Sequence, residues 1–198
     1  MAVVRRKLGD IAKIYVGIPT KTADLHEAGR SGNVLTVRSL TGSGIDPNEL
    51  VRATFDGRDL ERYRVAAGDV LISARSTSLK TAVVPSGLAG KVINATLVGV
   101  RCLPDLEPRL LVAWLSHPEG QAELANISQS ATIQMNITVA GLTEIEVPVP
   151  PVEVQRQMVR VLEAADEAYT AAVEAAEDRL RLARQIVVEQ LKDRKERR

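Results

Sequence analysis

Two polar segments carry the residue types best suited to recognition chemistry. Ser73-Ala74-Arg75-Ser76-Thr77-Ser78-Leu79-Lys80-Thr81 sets Arg75, Ser76 and Lys80 among hydroxyls directly after the apolar run Val70-Leu71-Ile72. Such a segment can contact phosphates, and the planar fork of Arg75 fits the edge of a guanine. The second segment, Ser128–Asn136, is polar and low in charge and brings three amides, Gln129, Gln134 and Asn136. A side-chain amide can pair with N6 and N7 of adenine. Lys21 and Arg38 stand behind these as further contacts, with basic groups positioning phosphates and amides reading base edges. Segments rich in Ser, Thr and Gln also serve as plain solvated connections. Both readings stay open for each residue at this point.

Other chemistries find little support. His26 and His117 lie away from Cys102 and from any carboxylate pair at ligand spacing, so neither a metal site nor Cys/His catalysis is expected. His117, followed by Pro118, reads as the end of a helix. No G-x-S-x-G elbow, no G-x-x-x-x-G-K-[ST] loop and no G-x-G-x-x-G after a strand occurs, which removes local support for acyl transfer, P-loop chemistry and dinucleotide binding. Asp56, Asp59 and Glu61 sit beside Arg58, Arg62 and Arg64 and read as a solvated mixed-charge face. The one cysteine, Cys102, sits in the apolar run Leu97–Leu103 and is expected to pack in the core.

Charge restricts the partners. The chain of 198 residues has a formal net charge of +1. Residues 1–150 hold 16 Lys/Arg against 15 Asp/Glu (16 − 15 = +1), and residues 151–198 hold 10 against 10 (10 − 10 = 0). Phosphate neutralisation dominates nucleic-acid binding, so affinity for DNA has to come from a locally basic surface or from a partner. No apolar run approaches the ~20 residues of a membrane span, and Met1–Lys7 lacks the apolar core of a signal peptide. A cytoplasmic location is the expectation.

The elements that position these segments are short. Strands are expected at Lys13–Val16, Val34–Arg38, Tyr63–Val65, Val70–Ala74, Thr81–Val84, Leu97–Leu103 and Ile145–Val147, with Ala66-Ala67-Gly68-Asp69 as a tight turn. Thr20–Gly32 reads as a loop or a frayed helix. Helices are expected from Pro108 to His117, over Glu119–Ala125, and briefly over Val139–Leu142 with Thr138 as cap. Strands interleaved with short helices at irregular spacing predict an α+β domain with a mixed sheet.

At Val147-Pro148-Val149-Pro150-Pro151 the pattern changes. Proline lacks an amide proton and restricts the residue before it, so these prolines are expected to stop the strand and let a helix start at Pro151, running to about Leu191. Apolar or small residues recur at Val154, Met158, Val161, Ala165, Ala168, Ala172, Ala176, Leu180, Ala183 and Val187. Steps of three and four alternate except around Ala176, which describes a coiled-coil seam with one stutter. Such a helix is expected to project and to need a partner. The division is thus residues 1–150 and residues 151–198.

With these features in place, the chain resembles the specificity (S) subunits of type I restriction–modification systems. The residues that carry the resemblance are Lys7-Leu8-Gly9-Asp10-Ile11-Ala12-Lys13-Ile14 followed by Gly17, Gly68-Asp69-Val70-Leu71-Ile72-Ser73, and the stretch from Leu142 through Pro148, Pro150, Pro151, Glu153 and Gln155 to Met158. Glu153 and Gln155 are separated by Val154 where an adjacent Glu-Gln pair is usual. The resemblance covers nearly the whole chain, in a form with one target-recognition domain.

It implies that residues 1–150 read DNA and that the helix sets the spacing between two such domains and docks a methyltransferase (M) subunit. Two copies joined through Val154, Met158, Val161, Ala165, Ala172, Leu180 and Val187 would read an interrupted palindrome. Adenine-N6 methylation with S-adenosylmethionine would belong to the M subunit, since Val149 and Val152 flank Pro150-Pro151 and the [DN]-P-P-[FY] motif is absent. On this reading the chain binds no cofactor or metal and catalyses nothing, and a nuclease (R) subunit is a further partner to test. The competing expectation is a non-catalytic assembly module whose helix dimerises and whose polar loops read no sequence.

Overall fold

The computed structural model describes residues 3–19, 30–42, 44–55, 59–76, 78–128 and 135–196. In chain order the elements are β1 (Val4–Lys7), α1 (Leu8–Ile11), β2 (Ala12–Val16), β3 (Arg30–Leu35), β4 (Val51–Phe55), β5 (Val70–Ser73), β6 (Arg75–Ser76), β7 (Thr81–Val83), β8 (Val92–Ile93) and β9 (Leu97–Cys102). There follow α2 (Pro108–Ser116), α3 (Pro118–Ile127), β10 (Met135–Asn136), α4 (Val139–Glu144), β11 (Glu146–Val149) and α5 (Val152–Glu196). The chain divides into two compact units, Met1–Arg156 and Gln157–Arg198.

The first unit is α+β. Its central sheet has the order β2-β9-β5-β7, antiparallel throughout, and a second sheet, β4-β3-β8, is mixed because β3 pairs with β8 in parallel. Successive strand residues face opposite sides, and both sides of the central sheet are covered. Val70, Ile72, Val98 and Val100 point to a core shared with Leu8, Leu111, Leu115, Leu124 and Leu142 of the helices. Leu71 and Leu97 point the other way, to Leu35, Leu40 and Ile93. All four residues of β5 are therefore buried, as expected of an interior strand with two covered faces.

Two glycines show why the central sheet closes as it does. In the turn from Ala66 to Asp69, the Asp69 amide donates to the Ala66 carbonyl at 3.2 Å, and Gly68 has φ +85, a value that suits glycine at the third position of a type II turn. At Gly99, a Cβ would meet the Tyr15 ring at 2.3 Å, so the bare backbone lets Tyr15 lie across the sheet.

Several boundaries depart from the sequence expectation. Val37 and Arg38 lie in a 3-10 turn, because the Thr36 hydroxyl accepts from the Arg38 amide while the Thr36 amide donates to Ser39 Oγ; the strand is Arg30–Leu35 instead. Glu61–Tyr63 is likewise a 3-10 turn, with Arg64 bridging to Val92. β1 was not anticipated from sequence, nor were β4 and β8. The prolines also do not end the last strand where expected: β11 continues through Pro148 to Val149, paired among the described residues only with β1. A two-stranded edge tolerates a residue with no amide to donate.

Helix boundaries follow the local signals. Thr138 Oγ1 accepts from the Gly141 amide at 3.1 Å, and His117 ends α2 and caps α3 by accepting from the Glu119 amide at Nδ1. α5 begins at Val152, with the Pro151 carbonyl taking the amides of Val154 and Gln155. Its 45 residues span roughly 67 Å at 1.5 Å each. No helix among the described residues is long and apolar enough to cross a membrane.

Candidate nucleic-acid interface

The two polar segments singled out from sequence meet. β6 pairs antiparallel with β10, setting Asn136 opposite Arg75 and Met135 opposite Ser76. The ladder is rooted in the core: Ala74 and Ile137 are each 3% exposed, and the Ile137 amide donates to the Ala74 carbonyl at 2.9 Å. Ala74 is tied in turn to the Thr96 carbonyl through its own amide. With Ala74 and Ile137 anchored inward, strand alternation turns Arg75 and Asn136 outward, and both are exposed. Side chains directly opposite in an antiparallel pair start about 4.5–5.5 Å apart at Cβ, so an arginine fork and an amide are presented side by side.

Hydroxyls shape the rest of this edge. Ser73 Oγ accepts from the Lys80 amide at 2.9 Å, and the Ser73 amide donates to the Lys80 carbonyl, closing the loop between them. Ser76 Oγ donates to the Ser78 carbonyl and accepts from the Ser78 amide, a local turn that leaves Ser76 with acceptor capacity only. Lys80 Nζ donates to the Leu40 carbonyl at 2.9 Å, which ties this loop to the turn carrying exposed Arg38. Lys80 keeps two further ammonium protons for a phosphate. The second segment is held at both ends, since the Asn136 amide donates to Ser128 Oγ at 3.1 Å. Lys21, Gln129 and Gln134 lie outside the described residues.

The Gly-Asp pair before β5 has a structural role. Asp69 is 1% exposed, and its carboxylate accepts from Arg101 Nε and Nη2 at 2.8 and 2.7 Å, from Tyr15 Oη at 2.7 Å and from the Ala66 amide at 2.8 Å. Burial, then the bond to Asp69, push the Tyr15 hydroxyl well above the usual tyrosine range. Cys102, half-buried against the helix-covered core on the opposite face of the sheet from Tyr15, has its thiol pushed up to about 12, chiefly by burial. A thiol so disfavoured as thiolate is a packing group, not a nucleophile. Among the described residues no cluster of His, Cys, Asp and Glu suited to a metal ion occurs.

Gln155 performs a similar task at the start of α5. It is 1% exposed; its Nε2 donates to the carbonyls of Asp105 and Pro150, both at 2.8 Å, and its Oε1 accepts from the Glu107 amide at 2.9 Å. The seam residues show the opposite pattern. Val154 is half-buried, whereas Met158, Val161, Ala165, Ala172, Leu180 and Val187 are exposed, Val161 at 69%.

Sequence reading missed one basic feature. A cleft of about 400 Å³ at the β2 edge of the central sheet is lined by the cations Lys13, Arg62, Arg64 and Arg101, with one carboxylate, Glu61, and with Tyr15, Tyr63 and Val16. The only local hint was the density of arginine around Tyr63. Nothing in the sequence indicated that Lys13 and Arg101 stand opposite each other on β2 and β9.

No protein-family model matches the chain, and no curated protein does. Solved structures do. A chain from a study of complex assembly and conformational transition in a type I R-M system superposes with a TM-score of 0.61 at 23% identity, over 87% of this chain and 40% of that one. The HsdS subunit from Thermoanaerobacter tengcongensis superposes with a TM-score of 0.59 at 24% identity, over 88% of this chain and 39% of that one. The chain therefore spans about 40% of the length of the solved chains it matches. Over that span, the protein has the fold of the S (HsdS) subunits of type I restriction–modification systems.

Proposed function

We propose that this chain confers DNA sequence specificity on a type I restriction–modification complex, reading bases and leaving the chemistry to an adenine-N6 methyltransferase subunit. The observation that carries this reading is the β6–β10 ladder, which sets Arg75 beside Asn136 on the exposed edge of a unit with the S-subunit fold. Arg75 reads a guanine and Asn136 an adenine, while Lys80 and Arg38 hold phosphates. Ser76, Lys21, Gln129 and Gln134 complete the candidate contacts. Residues 1–150 form the target-recognition domain. Residues 151–198 form the spacer and docking helix.

The exposed seam from Met158 to Val187 suits a two-fold pairing of helices, which would hold two recognition domains over an interrupted palindrome. Each domain then reads one half-site, and joining two weak half-site contacts through one helical spacer raises affinity without added charge. The methyltransferase subunit binds S-adenosylmethionine and extrudes the adenine. The complex is cytoplasmic, where the DNA is.

The test mixes the purified chain with its methyltransferase subunit and S-adenosylmethionine, then maps methylated adenines in a random-sequence DNA pool. Methylation confined to one bipartite site, and lost without this chain, is the expected result. Methylation of the same site by the methyltransferase alone, or by this chain alone, would overturn the assignment. Self-association without any DNA or methyltransferase binding would favour the assembly module.

A further inference from the structure

Near-neutral charge leaves DNA affinity to a locally basic surface or to a partner, and the cleft at the edge of β2 is such a surface. Four cations line it: Lys13, Arg62, Arg64 and Arg101. Two are compensated, Arg64 by Glu61 at 2.7 Å and Arg101 by buried Asp69. Lys13 and Arg62 carry the remaining two charges. Lys13 is exposed and has no acidic partner among the described residues. The Arg62 guanidinium lies 4.6 Å from the centroid of the Tyr63 ring and donates to the Tyr63 hydroxyl, so its position is set in advance. Tyr15, wedged over Gly99, forms the floor, with the Arg101 guanidinium 5.6 Å from its ring centroid.

From this arrangement we infer that the cleft is a second DNA contact, one that clamps backbone phosphates through Lys13 and Arg62 and reads no bases. The inference rests on the recognition role proposed above. The geometry favours a shared duplex. Leu97, which pairs with Ser73 just before the Arg75 ladder, opens β9, and Arg101, which lines the cleft, lies four residues further along the same strand. At ~3.3 Å per residue they are roughly 13 Å apart, well within one duplex turn of about 34 Å. A rigid strand thus links the base-reading edge to the cleft, fixing the register of one against the other. Two cations without an acidic partner among the described residues, one of them a preset guanidinium, suit a backbone contact.

The experiment measures binding of the full chain to a fluorescent random-sequence duplex of about 30 base pairs between ~50 and ~200 mM salt, for the parent and for Lys13→Gln/Arg62→Gln. Both side chains are exposed, so the fold should be kept, and circular dichroism checks that it is. Two lost phosphate contacts should reduce the salt slope by about 1.8, so that the parent loses about twelvefold more affinity over this range than the variant does. Sequence preference should not change.

An unchanged slope in a folded double variant overturns the clamp while leaving the recognition role standing. Loss of sodium tripolyphosphate binding with an unchanged DNA slope also overturns it, since the cleft would then serve a free phosphorylated ligand. A parent chain with no duplex affinity at any salt, alone or with its methyltransferase subunit, overturns both readings.

Discussion

Asn136 stands directly opposite Arg75 in antiparallel register, although one residue ends the amide-rich segment and the other lies near the start of the basic one, about 60 residues earlier in the chain. The pairing makes them a unit rather than two independent side chains. Arg75→Ala and Asn136→Ala should each relax the methylated sequence at one base position, by about 1–3 kcal/mol of discrimination. Sequencing the methylated pool reads this directly. Uniform weakening across all sequences would make the residue a phosphate contact instead.

Asp69 holds β2, β5 and β9 together through four accepted hydrogen bonds. Asp69→Ala strands the Tyr15 hydroxyl and the Ala66 amide and releases the Arg101 guanidinium. Because the Arg101 side chain is 43% exposed, water takes back part of that loss, and a cost of ~2–4 kcal/mol is expected in urea unfolding. A change under ~0.5 kcal/mol, the size of an ordinary surface substitution, would show the network to be dispensable.

Gln155 satisfies two carbonyls and one amide where α5 begins. Its replacement by Leu keeps the volume and removes all three partners. We expect a loss of ~2–3 kcal/mol and faster hydrogen exchange at the Glu107 amide, whose acceptor is gone. Protection of that amide at the parental level would contradict this role.

Alkaline pH should weaken the first unit in a defined direction. Burial raises the folded pKa of both Cys102 and Tyr15 above their unfolded values. For such groups the unfolded chain releases its proton first, so their stabilising share is intact below the unfolded thiol pKa of about 8.5 and declines above it. For Cys102 the decline runs from there to about 12. Thermal unfolding between pH 8 and 10 should show this slope, and Cys102→Ala should flatten it. The native thiol should also react slowly with iodoacetamide at pH 8 and quickly in urea.

Leu180 and Val187 are more than half exposed on α5. The proposed helix pairing predicts that Leu180→Glu with Val187→Glu gives the mass of a single copy in sedimentation, with the circular dichroism of the first unit retained. An unchanged mass in a chain that self-associates would locate the contact elsewhere.

Local features were legible because their causes lie within a few residues. Gly68 in its turn, Thr138 at its cap and the His117-Pro118 break each depend on neighbours no more than a turn away. The apolar seam of α5 is similarly a matter of helical period. Val37-Arg38 misled, since an alternating apolar pattern says nothing of the Thr36 and Ser39 side chains that bend it into a 3-10 turn.

The sequence by itself determined the α+β character, the long helix with its seam, and the two segments whose side chains suit base and phosphate recognition. Only the tertiary structure decided that those segments form one edge, that Asp69 belongs to the framework, and that Lys13, Arg62 and Arg101 share a cleft. The physical reason is that strand register and the hydrogen bonds to a buried carboxylate such as Asp69 join residues far apart in the chain. Their free energy comes from hydrogen bonds and desolvation that exist only once both partners are in place, and no local pattern of residue types encodes it.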